Sequence, residues 1–589
     1  MNLVWGSLLV SPLKLKRESV GKVPIASKNP YLSVLVDTGV FHLDQPYEYT
    51  LPEKIEIEIG DWVSVPFNGR NCLGLVIDRY SKSRNLTAAA KTLPINRKVK
   101  GANVSRKHLD FYQAVAARWA VPVFDVLRFI PKEGNQQPLD IFLRGNAKNG
   151  SNQARRTYLQ LKPNQSEIEQ LVQLLGEIAS NGPTLVIVPE AKLAKQIERP
   201  EYQVGARGSV LSTSYYQNVV IIREESGHHY ELKSPGFNTR DVALLRNEIF
   251  KENLFFIGFS PSFEMTRLIN IGFVGYKEAR IETGAVKVTA QSSLSGELIP
   301  SALIKPVRQY LSKDPLLVVV PAKGYGLAIS CANCRNIAKC NCGGKLTKRN
   351  RAEDPVCNIC QTKYPEWKCA FCNKERIYLL GRGIERIAEE FGRSFPNTEI
   401  HISTKDKQIE GLVGKRSIML ATVGSVPDLK YSAVLFLDGL ALGADLRSEE
   451  RYLALLMRYT AAANGKVLLV DRSEHPVIAA LTRWKPLPYL ERINNELQEA
   501  GLPPFSRHAT FKDCAEESDR IFAGLKSAIR EGRLSSSSQI YQLQDGQISL
   551  FFPIKEGSKS TKFLYEFQKR RAIAGKRVLK LRIDSYDLS

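Results

Sequence analysis

The chain has 589 residues, with 83 Lys and Arg against 60 Asp and Glu for a formal charge of +23, and 43% of it is hydrophobic. That apolar share excludes wholesale disorder, and the length points to roughly three to five domains. A basic excess of this size, spread along the chain, points to a polyanionic partner. No run reaches the ~18 apolar residues of a membrane helix. The short apolar run Leu3 to Val10 precedes its lysines, the wrong order for a secretory signal. A cytoplasmic protein with reduced thiols and no membrane contact is expected.

Residues 1–30 read as a basic, irregular arm. Residues 31–100 are β-rich: SVLVDTGV, YEYTLP, DWVSVPF and CLGLVID are short strands separated by turn residues. Residues 101–145 change to helical spacing in HLDFYQAVAARWA and VFDVLRFI, which suggests a winged-helix-like module. Residues 146–165, with RGNAKNGSNQARR, read as a polar linker. Residues 166–295 alternate helix and apolar strand: SEIEQLVQLLGEIA, then TLVIVPE, NVVIIREE and NLFFIGFS. Such uninterrupted apolar strands belong to parallel sheets covered on both faces. A second α/β lobe starts at 296–327 and resumes at 379–487 with RSIMLATV, AVLFLDGL and GKVLLVD. Residues 488–589 read as a separate α+β domain.

The second lobe is interrupted at 328–378 by eight of the ten cysteines, in the pairs Cys331/Cys334, Cys340/Cys342, Cys357/Cys360 and Cys369/Cys372. Three pairs have the two-residue spacer that lets both thiolates of one tight turn reach one metal. Eight thiolates make two closed tetrahedral sites, and with no histidine in the window these are structural rather than catalytic. Neighbouring pairs can combine, or the outer pairs can hold one ion and the inner pairs another. Cys72 and Cys514 stand alone and read as small buried residues.

The cysteine segment followed by GRGIERIAEEFGRSFPNTEI resembles the primosomal replication-restart (PriA) family, and the likeness runs from about Tyr31 to the C-terminus. LDQPYEYTLP and GDWVSVPFNGR are similar to the family's 3′-end-binding domain. LVIVPE, REESGHHYELKSPGFNTRDVALLR, DLRSEERYLALLMR, EHPVIAALTR and GLPPFSR look like parts of its helicase core and C-terminal domain. The resemblance implies a multidomain α/β protein. Its parts would be a β-rich 3′-end-binding domain, a winged-helix module, two RecA-like lobes with a double zinc insertion, and a C-terminal α+β domain. It implies two zinc ions in the nested arrangement: Cys331, Cys334, Cys369 and Cys372 on one, Cys340, Cys342, Cys357 and Cys360 on the other. At the 3′ end it implies that Tyr47 stacks on the terminal base, that Glu48 accepts from the 3′-hydroxyl, and that Asn68, Gly69 and Lys91 complete the pocket. The plain structural reading of Tyr47 and Tyr49, alternate residues on a strand, packs one and exposes the other. Implied partners are fork and D-loop DNA, primosome and helicase-loading proteins, and single-stranded DNA-binding protein.

A working motor of this kind needs a Gly-Lys-Ser/Thr loop to cradle phosphates. The Gly-Lys pairs here are followed by Val23, Leu346, Arg416, Val467 and Arg577, and the segment before the first lobe's helix reads YLQLKPNQSEIEQL, without glycine. The family's first acidic-box aspartate is replaced by Arg223, with Glu224 and Glu225 after it read as surface carboxylates. Its two arginine fingers fall at Ala462 and Gly465. The resemblance is therefore to the helicase-inactive branch found in actinobacteria, with no ATP hydrolysis expected and nucleotide binding left open. Two rivals are an active ATP-dependent 3′-to-5′ DNA helicase with an aberrant nucleotide loop and a zinc-ribbon scaffold for protein or RNA.

Overall fold

The computed structural model describes residues 24–84, 92–130, 154–292, 299–311, 314–320, 328–334, 336–341, 345–347, 354–357, 362–409, 411, 414–437, 446–470, 475–512, 515–543 and 546–586, apart from 381–383. The chain divides into two compact units, residues 1–109 with 131–134, and residues 110–130 with 135–589.

The first unit is a five-stranded antiparallel sheet, in spatial order Pro46–Thr50, Tyr31–Val36, Arg70–Tyr80, Trp62–Phe67 and Arg97–Val99. Leu32, Val34, Val63, Val65 and Val76 are fully or almost fully buried in its core. Phe67 pairs with Arg70 across Asn68 and Gly69, both at positive φ (46° and 75°). Two such residues make the hairpin turn whose twist matches the strands it joins. The described end of the expected N-terminal arm is tied down: Ala26 N–H donates to the Leu51 carbonyl at 2.9 Å, and Arg79 donates to the carbonyls of Lys28 and Asn29. Residues 1–23 lie outside the described residues.

In the second unit, one six-stranded parallel sheet runs Gly275–Lys277, Arg156–Gln160, Asn253–Gly258, Asn218–Ile222, Thr184–Ile187, Gln203–Gly205. A second runs Lys287–Gln291, Lys466–Val470, Ala433–Phe436, Leu316–Val320, Ser417–Thr422, Glu399–Ser403, also parallel. Two expected boundaries move. The linker expected at 146–165 contains Arg156–Gln160, an interior strand whose Tyr158 is completely buried. The second sheet begins before 296, because Lys287–Gln291 pairs with Lys466–Val470. Both are polar-looking segments whose strand character comes from partners far away in the chain, which local pattern does not reveal.

The lobes share one continuous core. It runs from Leu161, Leu171 and Phe263 of the first to Met457 and Trp484 of the second, and takes in Tyr489 and Leu490 of the helix Pro486–Glu499, which the expected boundary at 487/488 would divide. A separate cluster, including Leu303, Leu316 and Phe391, covers the other face of the second sheet. Between Leu316–Val320 and the helix Ile384–Ser394 lies a four-stranded antiparallel sheet bearing the cysteines, in order Val356–Cys357, Leu346–Thr347, Ala328–Cys331, Ile377–Leu380. The C-terminal domain is a four-stranded antiparallel sheet, Gln539–Gln542, Ile548–Pro553, Ser506–Lys512, Lys580–Ile583, with helices Ser518–Arg530 and Gly557–Ile573. Residues 101–145 carry the helices Arg106–Trp119 and Val123–Leu127 among their described members; 131–145 lie outside.

Candidate nucleic-acid and metal sites

Tyr47 and Glu48 sit on the edge strand Pro46–Thr50 and leave it on opposite faces, as adjacent strand residues must. The Tyr47 ring packs edge-on against Phe67 with centroids 4.9 Å apart, and its hydroxyl donates to the Leu43 carbonyl at 3.2 Å. Phe67 leads into the Asn68–Gly69 turn, so Tyr47 and that turn stand together, and nothing lies within 4 Å of where a Gly69 Cβ would be. Tyr49 is buried on the same face as the half-buried Tyr47. The reading of one packed and one exposed ring is thus corrected: residues two apart on a strand share a face.

Glu48 is the hub of a different cluster. Its carboxylate accepts from the Ser83 hydroxyl (2.5 Å), the Arg84 amide (2.8 Å), the Tyr80 hydroxyl (2.9 Å) and, most weakly, the Thr92 hydroxyl (3.4 Å). Partial burial works against its charge, but these bonds, led by Ser83, hold Glu48 below its ordinary pKa. The sequence reading missed Phe67, Tyr80, Ser83 and Thr92; the aromatic beside Asn-Gly was a usable signal, the hydroxyls were not. Lys91 lies outside the described residues, next to Thr92.

The outer cysteine pairs come together in a cluster that could hold a metal ion. The Sγ atoms of Cys331, Cys334, Cys369 and Cys372 all lie within 4.8 Å of one another, with Cys331 to Cys372 and Cys334 to Cys369 at 3.4 Å. Four thiolates about 2.3 Å from one tetrahedral ion stand about 3.8 Å apart, so the set fits such an ion, and an all-thiolate donor set is compatible with zinc. Two matching turns present the ligands: the amides of Asn333 and Phe371 point at Cys331 Sγ (3.4 Å) and Cys369 Sγ (3.5 Å). The Lys374 amide holds the Cys372 thiol below its ordinary pKa. Of the inner set, Cys340 and Cys357 are buried in the same small core, and Tyr364 donates to Cys340 Sγ at 3.0 Å. Cys342, Cys360 and Cys514 lie outside the described residues, and Cys72 is half-buried against the first unit's core.

At the C-terminal ends of the first parallel sheet, where α/β folds bind ligands, the helix Glu167–Ala179 follows Arg156–Gln160. Its first turn is occupied from within. Arg223 grips the Glu167 carboxylate with two N–H···O bonds of 2.7 and 2.6 Å, and Arg458 of the second lobe approaches to 3.8 Å. Burial opposes a charge on Glu167, but Arg223 and then Arg458 outweigh it and hold its pKa below the ordinary value. Arg223 is 5% exposed and adopts a left-handed φ of 53°.

Glu224 and Glu225 are corrected too. Glu224 is 2% exposed, accepts from the Ser262 amide at 2.7 Å and pairs with buried Arg240 at 3.2 Å. Burial, with Glu224 beside it, pushes the Glu225 carboxyl up to about 8. Across the lobes Phe263 N–H donates to Glu450 at 2.6 Å, and Arg447 pairs with Glu264. Trp484 Nε1 donates to the Leu161 carbonyl at 2.8 Å. At Gly465 (φ 76°) a Cβ would lie 2.1 Å from the Ala285 carbonyl oxygen, so no side chain fits where an arginine finger was sought.

The family model of the PriA 3′ DNA-binding domain matches residues 33–131. The probable replication restart protein PriA of Mycobacterium tuberculosis (strain ATCC 25618 / H37Rv) is 28% identical over 385 residues, covering 60% of this chain and 59% of that protein. The replication restart protein PriA of Rickettsia conorii is 23% identical over 557 residues, covering 79% and 84%. Over these lengths the chain is similar to PriA proteins, and its residues 33–131 match their 3′ DNA-binding domain. The match spans about three-fifths of the length of the mycobacterial PriA and more of the rickettsial one. Among solved structures the Escherichia coli DEAH/RHA helicase HrpB aligns at 11% identity with a TM-score of 0.25, covering 55% of this chain and 37% of that one. The PriA domain match takes in both the antiparallel sheet and the helix Arg106–Trp119 that follows it. Among the described residues no helix is long and apolar enough to cross a membrane.

Proposed function

We propose that this chain recognises branched replication DNA through a 3′ end, starts primosome assembly there to reload the replicative helicase, and does so without hydrolysing ATP. The observation that carries the reading is the Arg223–Glu167 pair. A phosphate-binding helix N-terminus offers amides and a cation to an anion. Here the chain's own carboxylate takes the cation, and an internal ion pair occupies the turn where phosphates would approach. With no Gly-Lys-Ser/Thr loop and no room for a side chain at Gly465, three parts of a phosphoryl-transfer site are wanting together.

In this reading the terminal nucleotide lies along the edge strand Pro46–Thr50, with its base on Tyr47 beside the Asn68–Gly69 turn. Glu48 takes the 3′-hydroxyl, which replaces the Thr92 hydroxyl, the weakest of its four donors. A carboxylate accepts from a hydroxyl and repels a phosphate, so a free 3′-hydroxyl is selected. Cys331, Cys334, Cys369 and Cys372 hold one zinc ion, and Cys340, Cys342, Cys357 and Cys360 a second, both structural.

One preparation tests both halves. Fork DNA ending in a 3′-hydroxyl is expected to outcompete the same fork ending in a 3′-phosphate, and fork DNA is expected to stimulate no phosphate release from ATP. DNA-dependent turnover with strand separation would establish the active-helicase reading instead. Equal affinity for the two forks would remove the 3′-end assignment.

A further inference from the structure

The two turns that present the four clustered cysteines are near copies, Cys331-Ala332-Asn333-Cys334 and Cys369-Ala370-Phe371-Cys372. In each, the third residue's amide bonds the first cysteine's sulfur, which directs the third side chain outward from the tip. One tip carries an exposed amide, Asn333. The other carries Phe371, 72% exposed, as exposed as any large apolar side chain described. Among the described residues no core lies over this phenyl ring, which stands in water at the tip of a cysteine turn.

Its surroundings choose the occupant. Lys368, Lys374 and Arg376 are exposed on the same ribbon, closed by Cys369 N–H donating to the Lys374 carbonyl at 3.0 Å. The other turn joins at this ribbon, Ala332 N–H donating to the Arg376 carbonyl at 2.8 Å. Among the described residues Lys368 forms a surface pair with Glu375 at 3.0 Å, both side chains more than half exposed. Such pairs hold their partners weakly, so Lys368 remains available to a phosphate. Segment 328–378 holds ten Lys and Arg against four Asp and Glu. A protein partner would call for a broader apolar patch. One flat ring, one amide and three cations instead make a stacking platform with a base-edge group and a phosphate rail.

We propose that Phe371 is a base-stacking platform for single-stranded DNA, with Asn333 at the base edge and Lys368, Lys374 and Arg376 on the phosphates. This rests on the proposed function in assuming a fork with single-stranded arms, and adds a second contact point separate from the 3′-end pocket. The test uses the full-length zinc-loaded protein, an oligo-dT probe and forks with and without a single-stranded arm. Phe371→Ala, with zinc content unchanged, is expected to weaken oligo-dT and armed-fork binding roughly 5- to 100-fold, what one stacked base supplies. The dependence on salt should keep its slope, because no charge is lost, and blunt duplex binding should stay as it was. Phe371→Trp should restore affinity, and its added emission should be quenched by oligo-dT. Arg376→Ala should instead reduce the salt slope.

Unchanged oligo-dT affinity in Phe371→Ala, or no quenching in Phe371→Trp, overturns the proposal. So does loss of a protein partner from Phe371→Ala with all DNA affinities intact. Wild-type protein that binds forks while Phe371→Ala binds them equally defeats this inference alone; wild-type protein that binds no fork defeats the functional reading beneath it.

Discussion

Replacing Glu167 by alanine takes the counter-charge from a guanidinium that is 5% exposed and makes two short hydrogen bonds to it. Breaking a buried pair from one side costs about 3–5 kcal/mol. Glu190, 3.9 Å from Arg223, softens the loss, while Arg458 is partly solvated and can turn outward, so the lower end, about 3 kcal/mol, is expected. Arg223→Ala should cost less, since the Glu167 side chain is 15% exposed and rehydrates more easily. The double variant should fall well short of the sum of the two, with a coupling of about 1–3 kcal/mol. Thermal melting of the three variants, read with hydrogen exchange on the segments 167–179 and 218–222, measures it. A unit of this size need not unfold in one step, and the local exchange keeps the assignment to this pair. Glu167→Ala melting with the wild type and keeping its exchange protection would refute the idea that this pair closes the cleft. So would ATP restoring the lost stability, since that would mean a phosphate fits where the carboxylate was.

Three further outcomes are expected. Glu225→Gln should stabilise the protein progressively as pH rises from about 4.5 to 8: the folded-state pKa lies above the unfolded one, so charging the buried acid costs stability across that window and none below it, with a gain of roughly 2–4 kcal/mol at pH 8 by melting. Gly465→Arg, offered as restoration of a finger, should give no ATPase activity and a large loss of soluble folded protein, because even a Cβ there meets the Ala285 carbonyl. Cys369→Ser should release one metal ion and leave a second in the purified protein, read by elemental analysis. A parallel Cys357→Ser variant that emptied the same ion would show that the inner and outer sets are mixed.

Much of the fold was legible because it rests on local pattern. SVLVDTGV and DWVSVPF became paired strands because alternating burial writes itself into alternating residue types. NVVIIREE was recognisable because both faces of its strand are covered. Asn68–Gly69 announced its hairpin, and the cysteine spacing announced a thiol cluster, able to hold a metal ion, whose outer pairs the fold brings together. What stayed hidden depends on distant partners. RTYLQ gives no sign that Tyr158 sits on a strand paired along both edges, and KVTAQ none that it borders the second sheet. Glu224 and Glu225 look like surface acids because nothing nearby in sequence reveals Arg240 and Ser262. The pairing of Arg223 with Glu167 joins residues 56 apart in the chain, so its sense emerges only in three dimensions.

Trp484 is fully buried in the core common to both lobes, and its indole nitrogen is bonded to the loop where a nucleotide would begin to bind. In a motor protein that seam opens and shuts with the ratio of ATP to ADP, and the grip on DNA follows it. Here Phe263, Glu264, Glu450, Arg447 and Trp484 bond across that seam, and on the proposed reading the angle between the lobes does not follow nucleotide. If the proposed function holds, such a bracket would grip its template as firmly in a starved cell as in a growing one, which would suit a task that begins when replication has already failed.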